Sequence, residues 1–503
     1  MDKSDHSVIT FNFHCYLDFT KPKERHDYAK GEYDAMRNSL GSNHWSRGFL
    51  EVGKNKSVEE LWSLLKTKLM ELRDKFVPKV TISNKPLWKG KGFPINKLAQ
   101  EAIRDKSKKH RKWILSKNTE EGYLSRFDYT QARNKVRRLL RKAKRNYEQG
   151  IASQSKTNPK IFWAHARSKL KTKSVVAPLF ADVKDNDSLK FDDKEKANIL
   201  QQQFSSVFNR EPDGDIPRIH SRADSSICDL HVTEDMIKKE LINLNVNKSV
   251  GPDDIHPRLL KELAVHLAEP VALLFNKTIT HGVIPQDWKE AYVSPIYKKG
   301  SRNHAENYRP ISLTSILCKI MESFVREKVL THLMGNKLLS PKQYGFISGR
   351  STTIQLLHYL DKCIKTIADG NVVDSIYFDF AKAFDTVPHR RLIGKLESYG
   401  IKGKVLNWIS AFLCGRNQTV RVNGEKSEKA DVLSGIPQGT VLGPILFVIY
   451  INDILDNIKS DGFLYADDTK IFRKITSRED ALILQSDIKS LEEWSKKWQL
   501  EFN

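Results

Sequence analysis

The sequence predicts a mixed α+β fold preceded by a basic helical region, and three features predict it. From about residue 231 onward the pattern runs helix, strand, helix, strand, hairpin, helix, the mixed order of an α+β domain. Ahead of it, residues 97–173 hold 23 Lys and Arg against 6 Asp and Glu, with apolar residues at helical spacing. Near the end, "DGFLYADDTKIF" (461–472) is an apolar, strand-like run broken at its centre by Asp467 and Asp468.

Bulk properties narrow the classes. A chain of 503 residues with 39% hydrophobic residues is long enough for two or three domains with their own cores and too apolar for disorder. A net charge of +23 points to a polyanionic partner, nucleic acid in preference to a membrane surface. The best membrane-span candidate, Val441 to Leu455, is too short and contains Pro444 and Asp453, so it reads as a buried helix. The five cysteines are scattered without metal or disulfide spacing, and the start lacks a signal pattern. A soluble intracellular protein with no membrane partner is expected.

Residues 21–175 read as a basic helical nucleic-acid-binding region. Within "DYTQARNKVRRLLRKAKRNYEQGIA", Val136, Leu139, Leu140 and Ala143 share a helical face. Arg137, Arg138, Arg141, Lys142, Lys144 and Arg145 occupy the other faces. Trp113, Tyr123, Phe127, Tyr147, Phe162 and Trp163 interleave with the charge. A solvated helix packing its aromatics inward gives the same pattern; the concentration of charge favours nucleic acid. Residues 176–230 shift to turn-formers and acids and read as a connector with one helix around Lys194 to Val207.

In the remainder, residues 231–503, Thr233 caps an amphipathic helix, and the helices that follow are expected to break near Pro270. "AYVSPIYKKG" is a strand and turn, and "NVVDSIYFDF" is a near-continuous apolar strand ending at Asp379. The last helix opens on a Ser477–Asp480 capping pair and carries Ala481, Leu484, Ile488 and Leu491.

Asp379 sits at a strand's end, and Asp467 and Asp468 at a hairpin tip 88 residues later. A solvated turn is the common use of such a pair. If the strands adjoin in one sheet, however, three carboxylates converge and call for a hard cation such as Mg²⁺. Two such ions about 3.5–4 Å apart activate a 3′-hydroxyl and stabilise leaving pyrophosphate. Between the acids, "LSGIPQGTVLGPILF" sets Gly435, Pro437, Gly439, Gly443 and Pro444 in a loop, with Gln438 able to contact a base or sugar. Upstream, Lys298, Lys299 and Arg309 surround a turn and suit a triphosphate, although exposed basic loops are usually only solvated.

The ordered set "GPDDI", "PIYKKG…NYRPISL", "QYGFISGRST", "YFDFAKAFDTV", "SGIPQGTVLGPILF" and "YADD" resembles the reverse transcriptases of non-LTR (LINE-type) retrotransposons, the jockey-like branch above all. The resemblance implies right-hand polymerase fingers and palm, with a ferredoxin-like palm sheet, over residues 231–503. It implies an RNA-directed DNA polymerase, part of a retrotransposon polyprotein used for target-primed reverse transcription. Such an enzyme transfers dNMP from dNTP to a primer 3′-hydroxyl on an RNA template, with a DNA primer or target as its other partner. It also implies that Asp379, Asp467, Asp468 and the Phe380 carbonyl bind two Mg²⁺ ions, Mn²⁺ being a possible substitute. By the same resemblance Lys298 and Arg309 hold the triphosphate, and Gln438 and Gly439 contact nucleotide and template. The family implies a nuclear location with cytoplasmic ribonucleoprotein assembly.

The ends depart from the family. Residues 1–20, with Asp5 and His6 in "SDHSVITFNF", resemble the last motif and strand of an apurinic-type endonuclease. The rest of that nuclease is absent, so nicking is not expected. At Asn503 the chain stops ahead of the family's lysine-bearing strand and thumb. Rival readings are a non-catalytic nucleic-acid-binding remnant, an RNA-directed RNA polymerase and an intron maturase. Phe384 argues against an RNA polymerase, since an aromatic ring under the incoming sugar excludes a 2′-hydroxyl.

Overall fold

The computed structural model describes residues 23–42, 45–82, 93–155, 157–169, 176–212 and 214–503. The expected nuclease remnant at 1–20 lies outside the described residues. Two compact units result: Met1–Gly31 with Val77–Lys173, and Glu32–Phe76 with Ser174–Asn503.

In the first unit, strands Lys23–His26 and Lys79–Ile82 pair antiparallel, and helices Lys97–Ser116 and Gly122–Gln154 pack along each other. Small buried residues, Ala99, Ala102, Ser125 and Ala132, let those helices approach closely. Asn96 starts the first helix, its side-chain oxygen accepting from the Ala99 amide at 3.0 Å.

Residues 21–175 therefore divide between the units, and the helix Val58–Phe76 shows why. Leu61, Trp62, Leu65, Leu69 and Leu72 form a buried stripe along it. Trp62 meets Trp288 edge-on at 5.5 Å and donates its indole N–H to Asp287 at 2.8 Å. An amphipathic helix needs an apolar partner, and this one finds it in the second unit.

That unit is α+β. Thr233 accepts from the Met236 amide at the start of Glu234–Ile242, as expected from its sequence. The expected break at Pro270 is displaced: Pro270 lies inside Ala264–His281, and the break falls at Leu263, with φ −100° and ψ 12°. Proline there removes one helical N–H, while Leu267, Val271 and Leu274 on the same helix stay fully buried and hold it together. The connector helix runs Asp193–Ser205, and its Ala197, Leu200 and Phe204 cluster with Val293, Tyr308, Val420 and Val422.

Those last residues belong to a sheet ordered Ala430–Val432, Arg416–Val422, Glu290–Tyr297, Tyr308–Leu313, whose middle pair is parallel. A second, antiparallel sheet is ordered Asp461–Tyr465, Asp468–Ile475, Val372–Phe378. Helix Gly443–Ile451 is buried on all sides. Among the described residues no helix is long and apolar enough to cross a membrane.

Candidate active site

The three-stranded sheet brings the acids together. Strand Val372–Phe378 ends where the next residue is Asp379, and its register pairs Phe378 with Thr469. Asp468 precedes Thr469, and Tyr465 pairs with Asp468 across a two-residue turn, Ala466–Asp467. All three carboxylates thus stand at one end of two adjoining strands. The titration of Asp468 reflects this: burial raises its pKa, and the charges of Asp467 and then Asp379 raise it further.

On the other side of Asp379, residues 501–503 pair with it. Asn503 N–H donates to the Asp379 carbonyl and Ala381 N–H to the Glu501 carbonyl, at 2.8 and 2.9 Å, while Phe380 faces Phe502 in an antiparallel bridge. In such a pair the N–H and C=O of Phe380 point away from Phe502, toward the hairpin side. The buried Phe380 ring stacks on Phe502 at 4.5 Å.

The Asn503 side-chain amide donates to Asp379 Oδ2 at 2.8 Å. Among the described residues no three His, Cys, Asp or Glu side chains close around a common point. Asp379 thus takes a neutral donor. The donor set, two or three carboxylates and a carbonyl on rigid strands, is oxygen-only and fits a hard divalent ion.

Hydrogen bonds tie three chain segments together, one of them the segment after Asp379 in sequence. Gly435 N–H bonds the Val387 carbonyl at 2.8 Å and Ile436 N–H the Phe384 carbonyl at 2.7 Å, tying the glycine-rich loop to the segment after Asp379. Gly435 has φ +87°, and a Cβ there would lie 2.6 Å from the Asp385 carbonyl oxygen, so only glycine fits. Ser312 N–H bonds the Gln438 carbonyl at 2.8 Å, joining Gln438 and Gly439 to strand Tyr308–Leu313. On that hairpin Arg309 pairs with Ile296, so Arg309 and Lys298 share a face, and both are exposed.

Phe384 is half-buried. Its ring stacks on Phe447 at 4.5 Å and meets Phe346 edge-on at 6.3 Å, with a core helix behind it and one side open. Arg137, Arg138, Arg141, Lys142, Lys144 and Arg145 are all exposed on helix Gly122–Gln154 in the other unit.

Residues 296–503 match the family model described as reverse transcriptase (RNA-dependent DNA polymerase). Over those residues the chain is similar to that family. Over 438 residues the chain is 26% identical to the probable RNA-directed DNA polymerase from transposon BS of Drosophila melanogaster, covering 82% of this chain and 47% of the relative. It is 28% identical over 321 residues to the RNA-directed DNA polymerase from mobile element jockey of the same organism, covering 61% of this chain and 35% of the relative. The chain thus spans about half or less of these relatives. Among solved structures, apo telomerase from Candida Tropicalis truncated from its C-terminal domain aligns with TM-score 0.32 and 13% identity, covering 50% of this chain and 62% of that one.

The same region holds an acid whose contact the sequence does not announce. Asp385 accepts from the Gln438 side-chain amide through both carboxylate oxygens, at 3.0 and 3.1 Å. That contact fixes the amide, with its nitrogen toward Asp385. The only sequence signal is the aspartate directly after Phe384, and nothing local says where it points.

Burial pushes the Asp385 pKa from its ordinary 3.8 up to about 6, against the opposing hydrogen bond from Gln438. A carboxyl that holds its proton more tightly when folded favours the fold at low pH, and that contribution is lost as pH rises through the folded pKa. Asp385→Asn should therefore flatten the fall of melting temperature between about pH 4 and 6. Asp253, also pushed to about 6, leaves a residual slope. Thermal melts across that range check this, and an unchanged slope in the variant contradicts the assignment.

Proposed function

We propose that this chain is an RNA-directed DNA polymerase, with residues 231–503 serving as the fingers and palm of a right-hand polymerase. The convergence of Asp379 with Asp467 and Asp468 on adjoining strands, inside the region similar to reverse transcriptases, carries the reading. Asp379, Asp467, Asp468 and the Phe380 carbonyl hold two Mg²⁺ ions, with Mn²⁺ as a substitute. Bound there, the ions supply charge stabilisation at the attacking and leaving oxygens worth several kcal/mol.

The chain's own residues do the rest. Lys298 and Arg309, on one exposed face of their hairpin, bind the triphosphate of the incoming dNTP. Gln438, fixed by Asp385, and Gly439 contact nucleotide and template. Phe384, backed by Phe447, stands under the sugar and excludes a 2′-hydroxyl by a clash, a discrimination built on repulsion. The exposed cations Arg137, Arg138, Arg141, Lys142, Lys144 and Arg145 bind the phosphates of template RNA or target DNA. The likeness to transposon polymerases supports a role in a retrotransposon polyprotein acting by target-primed reverse transcription in the nucleus.

Primer extension on an RNA template with the full chain, dNTPs and Mg²⁺ or Mn²⁺ tests the reading. DNA synthesis is expected, and Asp467→Asn should abolish it while leaving nucleic-acid binding nearly unchanged. Phe384→Val should raise ribonucleotide use and narrow the preference for dNTPs, whereas an unchanged ratio in a well-folded variant refutes the gate. A parent inert with both metals would leave only nucleic-acid binding. Reversing Arg137 and Arg141 should weaken that binding and flatten its salt dependence, because fewer counterions are released; an unchanged salt slope contradicts the interface.

A further inference from the structure

The turn that carries the acid pair is conformationally unusual. Ala466, its first residue, has φ +54°, the left-handed region that an L-residue with a Cβ rarely enters. The residue is buried at 5% exposure, so its N–H cannot turn to water. Something must hold this turn and accept that N–H.

The segment "KQYG" does both. Tyr344 N–H donates to the Leu464 carbonyl at 2.8 Å and Leu464 N–H to the Lys342 carbonyl at 2.9 Å, so the segment lies parallel along the free edge of the hairpin. At its centre Gln343 is fully buried. Its side-chain oxygen accepts two amides, Gly345 N–H at 2.7 Å and Ala466 N–H at 3.0 Å. Two converging donors fix the orientation of the amide, since the flipped form would set N–H against N–H.

Two neighbours keep Gln343 in place. The guanidinium of Arg350 donates to the carbonyls of Ser340 at 3.0 Å and Pro341 at 3.2 Å, and also to that of Gln343 itself. Gly345 passes so close to Ala466 that a Cβ there would collide with the Ala466 nitrogen.

Resting on the polymerase reading above, we propose that Gln343 is a positioning residue: its side-chain oxygen sets the Ala466–Asp467 turn and so the placement of Asp467 and Asp468. It touches neither substrate nor metal. It acts through one hydrogen bond to the residue immediately before the acid pair.

The test uses the full chain with Gln343→Met, similar in shape without the acceptor, and Gln343→Glu, which keeps an acceptor at the same place. Two readouts apply: hydrogen exchange at the Ala466 amide, and Mn²⁺ affinity by electron paramagnetic resonance. In the methionine variant the amide should lose protection and Mn²⁺ affinity should fall roughly tenfold, the lower end of the loss that follows removal of a group bonded directly to a ligand. The glutamate variant should keep the amide protected.

Should the methionine variant not fold, Gly345→Ala replaces it, because its Cβ displaces the same turn and predicts the same losses. Intact protection at Ala466 together with unchanged Mn²⁺ affinity overturns the proposal. The exchange result stands whether or not the parent extends primers, so a failed polymerase reading and a failed clamp are told apart.

Discussion

Carboxylates at the same end of two adjoining strands repel one another, and the register of those strands holds them there. Burial first, and then the charges of Asp467 and Asp379, raise the pKa of Asp468. Without a cation, the arrangement persists only because the backbone holds it: seven register pairs join Asp468–Ile475 to Val372–Phe378. On the proposed reading, a divalent ion bound there would offset the repulsion that the sheet holds in place.

A buried polar framework also runs through the second unit. Glu322, fully buried, accepts from the Val441 and Leu442 amides at 2.6 and 3.0 Å. Both amides lie at the start of helix Gly443–Ile451, where backbone donors have no partner within the helix. Burial raises the pKa of Glu322 while those bonds oppose the rise.

Buried Lys395 on helix His389–Ser398 donates to the Tyr450 carbonyl and to Asp453, and sits 3.7 Å from the Trp498 ring centre. Burial lowers its pKa to about 8 although Asp453 pulls the other way. Three helices are pinned at that one ammonium group. The last of them leads directly into residues 501–503, which pair beside Asp379. A shift in this framework would therefore reach the backbone of Asp379 through covalent chain and hydrogen bonds alone.

What the sequence disclosed were the features encoded within a few residues of themselves. Thr233 and Ser477 announce helix starts by capping, and both caps are present. Asp379, Asp467 and Asp468 stand out because charge interrupts apolar strands, and their strands do adjoin. Features made by residues far apart stayed hidden. Asp385 looks like an ordinary residue of a helix entry until Gln438, 53 positions away, is folded against it. Gln343 gives no sign of reaching Ala466 across 123 positions. Pro270 was misleading for the converse reason: a local helix-breaking rule yields to a buried face that packs well on either side of it.

The most direct measurement is metal binding at the acids themselves. Mn²⁺ titrated into the full chain and followed by electron paramagnetic resonance, at a pH where carboxylates are ionised, compares the parent with Asp379→Asn and Asp468→Asn. Saturable binding in the parent, weakened at least tenfold by either substitution while the melting temperature of the metal-free protein holds or rises, is the predicted result. The rise follows from relief of the repulsion. Equal Mn²⁺ binding in all three proteins, or a metal-free protein destabilised by losing either charge, would contradict the view that these aspartates are gathered to hold cations.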